Sequence, residues 1–204
     1  LGNLVIVSAA GSGSGPASDA VTDNAGNTYL RAGDVAYNNT SGSWSAIYYA
    51  VNALPGTSTI TLNAGSAVHL SLIAGEFSGL SADASLDAAA AAMDSSSAPT
   101  TSGMTPSQEG DLLIGSGEHA GTTVTTAGSG CTLFAVATED GTSLLPLAAE
   151  YQVLNGISPV NAAFALADPS YWSQNGALFE AAPFPQPTCS PAPSGLVSTW
   201  RAEG

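Results

Sequence analysis

The sequence predicts an all-β fold, an antiparallel β-sandwich or jelly roll followed by a proline-rich C-terminal tail. Three observations point there. Short apolar or alternating runs recur at near-regular spacing between clusters of Gly, Asn, Asp, Ser and Pro. No segment sustains the apolar period of an amphipathic helix. The helical crossovers that parallel strands require are missing as well. A chain of 204 residues is long enough to bury a real core in one such domain.

The elements follow in order. Residues 3–9 (NLVIVSA) are almost continuously apolar, which suits a strand covered on both faces. GSGSGP at 11–16 is a flexible loop, 23–27 (DNAGN) a turn, and 27–30 (NTYL) the start of a second strand. The run 44–53 (WSAIYYAVNA) is rich in aromatic and β-branched residues and predicts a strand. After a turn at 54–57, residues 58–63 alternate. In 67–77 (AVHLSLIAGEF), Val68, Leu70 and Leu72 fall on one face and His69 on the other.

Ala88–Ala92 is the one helical signal, since alanine has the highest helix propensity. Five residues between Asp87 and Asp94-Ser95-Ser96-Ser97 are too few for a stable helix, so the run reads as an extended edge segment. Strands are also expected at 111–116, 131–138, 143–153, 159–166 and 176–181, with Glu139-Asp140-Gly141-Thr142 as a hairpin turn. The total is about eleven short strands, the number a sandwich uses.

The chain divides into a sandwich domain at 1–182, a proline-rich linker at 183–194 and a terminal strand at 195–204. Five prolines within 183–193 set the linker apart. Sixteen acidic residues against two arginines and no lysine give a net charge of −14. Nucleic acid binding is thereby excluded, because it needs clustered cations, and so is docking on an anionic membrane. No apolar run is long enough to span a bilayer. A chain opening on Leu1 is expected to be a processed or excised piece. The two cysteines, Cys131 and Cys189, read as one disulfide formed in an oxidising compartment, with two unrelated thiols as the alternative. Closing a loop of that size would stabilise the fold by roughly 4 kcal/mol.

Several segments resemble a β-sandwich module of large secreted bacterial surface proteins. They are Gly2-Asn3-Leu4-Val5-Ile6-Val7, the stretch from Val21 to Tyr29 (VTDNAGNTY), Ile47-Tyr48-Tyr49-Ala50, Glu76-Phe77-Ser78-Gly79-Leu80 with Leu86-Asp87, Gly110-Asp111-Leu112-Leu113-Ile114 and Gly128-Ser129-Gly130. The likeness covers residues 1–182 and implies fold and an extracellular or cell-surface location rather than an activity. Such modules carry a further strand before the Gly-Asn-Leu opening, which this chain lacks. The tail from Gly195 to Gly204 (GLVSTWRAEG) resembles the opening strand of laminin-G-like, concanavalin-A-type domains. It implies either the start of a further domain or a strand kept for another use.

Few residues carry chemistry. Gly115-Ser116-Gly117-Glu118-His119-Ala120 spells a dinucleotide-binding pattern, but Gly121-Thr122-Thr123-Val124-Thr125-Thr126 disfavours the helix that would meet the pyrophosphate. His69 and His119 lack metal-ligand spacing and read as polar-face or loop residues. No Gly-x-Ser-x-Gly elbow exists, and Glu76, Glu118, Glu150 and Glu180 form no recognisable acid pair. No constellation therefore speaks for an enzyme, and no cofactor is implied. Calcium has the best case among ions, through Asp23, Asn24 and Asn27 or through Glu139 and Asp140. Asn38 and Asn39 head two overlapping glycosylation sequons, Asn38-Asn39-Thr40-Ser41. Trp44 reads as core, whereas Tyr171 and Trp172, in a polar stretch, could offer an aromatic ring to a glycan.

These features predict a non-enzymatic extracellular structural or adhesive subunit. Its expected partner is itself, in a head-to-tail filament, or the neighbouring domains of a larger protein. An eleven-residue proline spacer at about 3.1 Å per residue reaches roughly 34 Å. Leu196, Val197 and Trp200 could then fill an open sheet edge beside Leu4–Val7 of the next copy. A carbohydrate-binding module of a larger secreted protein is the alternative.

Overall fold

The computed structural model describes residues 3–66, 68–81, 86–122, 124–137 and 145–183, and within them fourteen strands and no helix occur. The first sheet is built on β1 (Leu4–Ser12). It lies between β5 (Ser43–Ala50) and β7 (Val68–Phe77), and β5 carries β3 (Leu30–Arg31) and β4 (Ala36–Asn38) on its far edge. The second sheet is built on β9 (Leu112–His119), between β12 (Leu147–Val153) and β14 (Ser170–Phe179). Its edges are β11 (Thr132–Ala137) and β8 (Leu86–Ser96). Two small ribbons complete the set: β2 (Val21–Asp23) with β6 (Ile60–Leu62), and β10 (Val124–Ala127) with β13 (Phe164–Leu166). All these pairings are antiparallel, as the sequence predicts.

Strand alternation sends each side chain to one of two cores. Between the sheets, Leu4 and Ile6 of β1 and Ile47 and Tyr49 of β5 meet Leu112 and Ile114 of β9 and Phe179 of β14. The alternate residues Val5, Val7, Trp44 and Tyr48 face outward. They are buried with Ala20, Val21, Tyr29 and Ala64, while Ile60 and Leu62 of the β2–β6 ribbon pack against them. Burial on both faces explains why the first strand has no polar alternation. On the outer face of the second sheet, Leu113 and Leu178 pack with Met104 and Leu154.

The expectation of an open edge beside Leu4–Val7 is corrected here. β1 is an interior strand: Val5 faces Ala50 on one side and Glu76 on the other, and Val7 faces Tyr48 and Ala74. A donated strand has no place there. Among the described residues the longest strand paired on one side only is β8, which pairs with β14. The alanine run is thus an edge strand, as its shortness as a helix suggested. The linker from 184 on and the terminal strand with Leu196, Val197 and Trp200 lie outside the described residues.

Several strands are longer than expected, β1 among them: it runs on through Gly11 and Ser12, the start of the segment read as a flexible loop. β9 runs on through Gly115-Ser116-Gly117-Glu118-His119, so the dinucleotide-like pattern is continuous strand rather than a strand–loop junction. β14 begins at Ser170, so the polar stretch, which lay outside the strand expected at 176–181, is sheet. In β9 and β14 polar side chains are buried by pairing across the sandwich.

Candidate functional site

One rim of the sandwich gathers residues far apart in sequence. The β4–β5 hairpin places Asn38 opposite Ser43 and turns through residues 39–42. Asn38 closes that turn by accepting the N–H groups of Thr40 and Ser41 on Oδ1, at 3.0 and 3.3 Å. Gly42 supplies the left-handed backbone the turn requires, at φ 69°. The Asn38 amide then reaches across to the second sheet, donating to the carbonyl oxygens of Asp94 and Trp172 at 3.0 and 3.1 Å.

That bridge forms a groove lined by Asn39, Thr40, Met93, Asp94, Ser95 and Tyr171. Tyr171 is 44% exposed and Met93 50%. Register explains the placement: Tyr171 lies opposite Ser95 and Ser173 opposite Met93 on the paired strands β14 and β8. A groove with one aromatic ring, one thioether and several short polar side chains can stack on the apolar face of a small polar molecule while hydrogen-bonding its rim.

The four rim residues singled out from the sequence thus come together, but they divide into two pairs. Tyr171 is exposed, whereas Trp172 is only 4% exposed and its indole N–H donates to Ser96 Oγ at 3.0 Å. Trp172 is therefore withdrawn from any surface contact. Asn39 is exposed. Asn38 is buried and both its amide donations are taken, which corrects its reading as a glycan acceptor.

The turn that suggested calcium is filled from within. Asp23 Oδ1 accepts three backbone N–H groups, from Ala25, Gly26 and Asn27 at 2.8–3.1 Å. Its Oδ2 accepts from Asn27, Tyr29 and Thr57 at 2.6–3.1 Å. Burial acts to raise this carboxyl, but the Asn27, Tyr29 and Thr57 hydrogen bonds outweigh it and hold Asp23 below the usual carboxylate range. Donors surround the carboxylate, so the oxygens a calcium ion would need are not turned to it. Asn24 is likewise engaged with Gly56, Ser58 and Thr59. Glu139 and Asp140, the second calcium candidate, lie outside the described residues. Among the described residues no cluster of three metal-binding side chains occurs.

Cys131 is half-buried and its thiol donates to Gln152 Oε1 at 3.7 Å. Burial, reinforced by the nearby Glu150 carboxylate, pushes that thiol up to about 12. Cys189 lies outside the described residues, and within those residues there is no disulfide.

Two titratable groups stand elsewhere than the sequence suggested: Glu118, which reads there as one of several unpaired acids, and His119, which reads as a polar-face or loop residue, are both in the interior. Glu118 and His119 are adjacent on β9, fully buried, and point to opposite faces. Glu118 Oε2 accepts from Ser43 at 2.5 Å and from Ser173 at 3.4 Å, between the two sheets. Burial pushes its carboxyl up to about 7 against those bonds. His119 sits under Phe164, ring centroids 5.4 Å apart, and burial pulls its imidazole down to about 3. Gly117 makes this possible: a Cβ there would stand 2.8 Å from His119 Nε2 and 3.2 Å from Gln174 Oε1. The spacing of Gly115 and Gly117 on one strand face was the available signal, since two missing side chains leave room for a covering layer.

Comparison of the chain with protein-family models, with curated proteins and with solved structures found no match. The functional reading therefore rests on the groove and the sheets that hold it.

Proposed function

We propose that this chain is a non-enzymatic, extracellular adhesive β-sandwich subunit that binds carbohydrate in the groove beside Tyr171. The observation that carries the reading is the exposed Tyr171 ring, flanked by Asn39, Thr40, Asp94 and Ser95. Sugar rings present an apolar face to an aromatic side chain and hydroxyls to short polar ones. The groove stands on paired strands and is fastened by Asn38, so little order has to be gained on binding. A net charge of −14 disfavours anionic polysaccharides and leaves neutral or amino sugars. A non-enzymatic role fits the burial of Glu118 and His119, which are sealed from any substrate. The lysine-free composition supports an extracellular setting.

Titration of neutral oligosaccharides, followed by calorimetry and by NMR shifts at the rim, tests this. Binding that perturbs Tyr171, Asn39 and Ser95 and is lost in Tyr171→Ala is expected. Saccharide binding elsewhere, or none across cello-, chito- and galacto-oligosaccharides, would overturn it.

A second reading, assembly with further copies or neighbouring domains by strand addition, is favoured by the free edge of β8. Ten of the eleven residues from Leu86 to Ser96 are in register with β14 on one side. Deleting residues 194–204 and examining the particles by negative-stain microscopy tests whether the tail is the donor. Filaments that persist after the deletion would exclude it.

A further inference from the structure

The sequence contains two Asn-Gly pairs, and the fold puts them in opposite settings. Asn155-Gly156 lies in the connection after β12. Asn155 is exposed, and a Cβ built on Gly156 would meet nothing within 4 Å. Asn175-Gly176 lies inside β14, with β8 on one side and β9 on the other. Asn175 is 1% exposed; its Oδ1 accepts from Ser45 at 2.7 Å and its Nδ2 donates to the Asp34 carbonyl at 2.8 Å. The space above Gly176 is closed by Met104 Cε, 2.5 Å from where a Cβ would stand.

We propose that Asn155 is a site of spontaneous self-modification, in which the native chain converts this amide to aspartate and isoaspartate. The backbone nitrogen of Gly156 attacks Asn155 Cγ, giving up its proton to solvent, and the Cγ–Nδ2 bond breaks to release ammonia. Water then opens the five-membered imide at either carbonyl. The sum is one water consumed and one ammonia released, with no oxidant or cofactor. Attack requires an unhindered nitrogen, which glycine provides, and a side chain and backbone free to swing together.

The loop supplies that freedom between two fixed ends. Leu154 is held by exchange with the 110–111 segment, donating to Asp111 O at 2.9 Å and accepting from Gly110 N at 2.8 Å. Val160 exchanges two 2.8 Å bonds with Met104. The extra backbone carbon of an isoaspartate falls in the exposed stretch between these anchors, so the product accumulates in folded protein. At Asn175 the same reaction would have to break the Ser45 and Asp34 bonds and bend a strand paired on both sides.

The test is incubation of the native chain in mildly alkaline buffer, with a parallel sample in urea, and peptide mapping that detects acid and isoaspartate at each site. In the native sample Asn155 converts and Asn175 stays an amide; in urea both convert. Gly156→Ala slows conversion at Asn155 several-fold without moving the thermal midpoint, because the added methyl meets open space. An Asn155 that remains intact in the native sample while converting in urea would overturn the proposal. Equal conversion of Asn175 in the native sample would overturn it too.

Discussion

Ser43 on β5 donates a 2.5 Å hydrogen bond to Glu118 on β9, joining the two sheets through a fully buried carboxyl. Among the described residues no cation is bonded to that carboxyl, and its Oε1 has no hydrogen-bond partner. The protonated form is therefore the one the interior favours.

Stability should consequently fall on the alkaline side. Glu118 binds its proton more tightly folded, at about 7 against an ordinary 4.5. Its contribution is full below the ordinary value and is lost as pH rises through about 7. That difference corresponds to about 3 kcal/mol at most. Glu150, raised by burial against its bonds from Gly128 and Ala163, acts in the same direction. Glu118→Gln should raise the urea midpoint above that of the parent at pH 8, with the advantage shrinking toward pH 4. A midpoint difference independent of pH would refute this.

His119 governs the acid side. Its folded value of about 3 lies below the ordinary 6.5, so stability is lost as pH falls from 6.5 toward 3 and the unfolded chain takes up the proton first. Asp23, held low by its hydrogen bonds, adds to the loss below the ordinary carboxylate range. Replacing His119 by leucine should flatten the decline between pH 6 and pH 4, read from thermal midpoints.

Tyr171 and Trp172 are neighbours with opposite energetic roles. Tyr171→Ala should change stability by no more than about 0.5 kcal/mol, as exposed substitutions do. Trp172→Ala empties a buried site and removes the bond to Ser96, and should cost about 3–5 kcal/mol. Urea denaturation of both variants distinguishes them.

Gly11 faces the Trp44 ring: a Cβ there would lie 2.6 Å from Cζ2 and 2.7 Å from Leu70 Cδ2. Gly11→Ala should destabilise by about 1–3 kcal/mol through overpacking alone. Shrinking the opposing side chain in Gly11→Ala/Leu70→Ala should recover part of the loss, measured as a double-mutant cycle.

Asn38→Ala removes a buried amide that makes four hydrogen bonds, two of them tying the first sheet to the carbonyls of Asp94 and Trp172. A loss of about 2–4 kcal/mol is expected. Amide exchange at Thr40 and Ser41 should accelerate more than at the centre of β5.

What could be read from sequence was whatever apolar pattern alone determines. The continuous run at residues 3–9 announced a strand buried on both faces, and the brevity of Ala88–Ala92 announced an edge strand. The interior position of β1 was not legible, because a buried run looks the same whether one or two neighbours flank it. Ser173, Gln174 and Asn175 fell outside the expected strand because their burial depends on partners such as Ser45 and Glu118, distant in sequence. The rim groove was half-visible for the same reason: Tyr171 and Asn39 stood out as residue types, while the Asn38 bridge that unites them is a matter of tertiary geometry.

The two ribbons, β2–β6 over one sheet and β10–β13 over the other, have a kinetic consequence. β1 and β9 are paired on both edges; β2–β6 covers β1, while Phe164 of β13 covers β9 at His119 and Met104 and Leu154 cover it at Leu113, so a local fluctuation is not enough to bare their amides to water. Deuterium uptake at Ile6 and Ile114 should wait for the whole molecule to unfold, making these two positions direct reporters of its global opening rate under conditions where reclosing is slow.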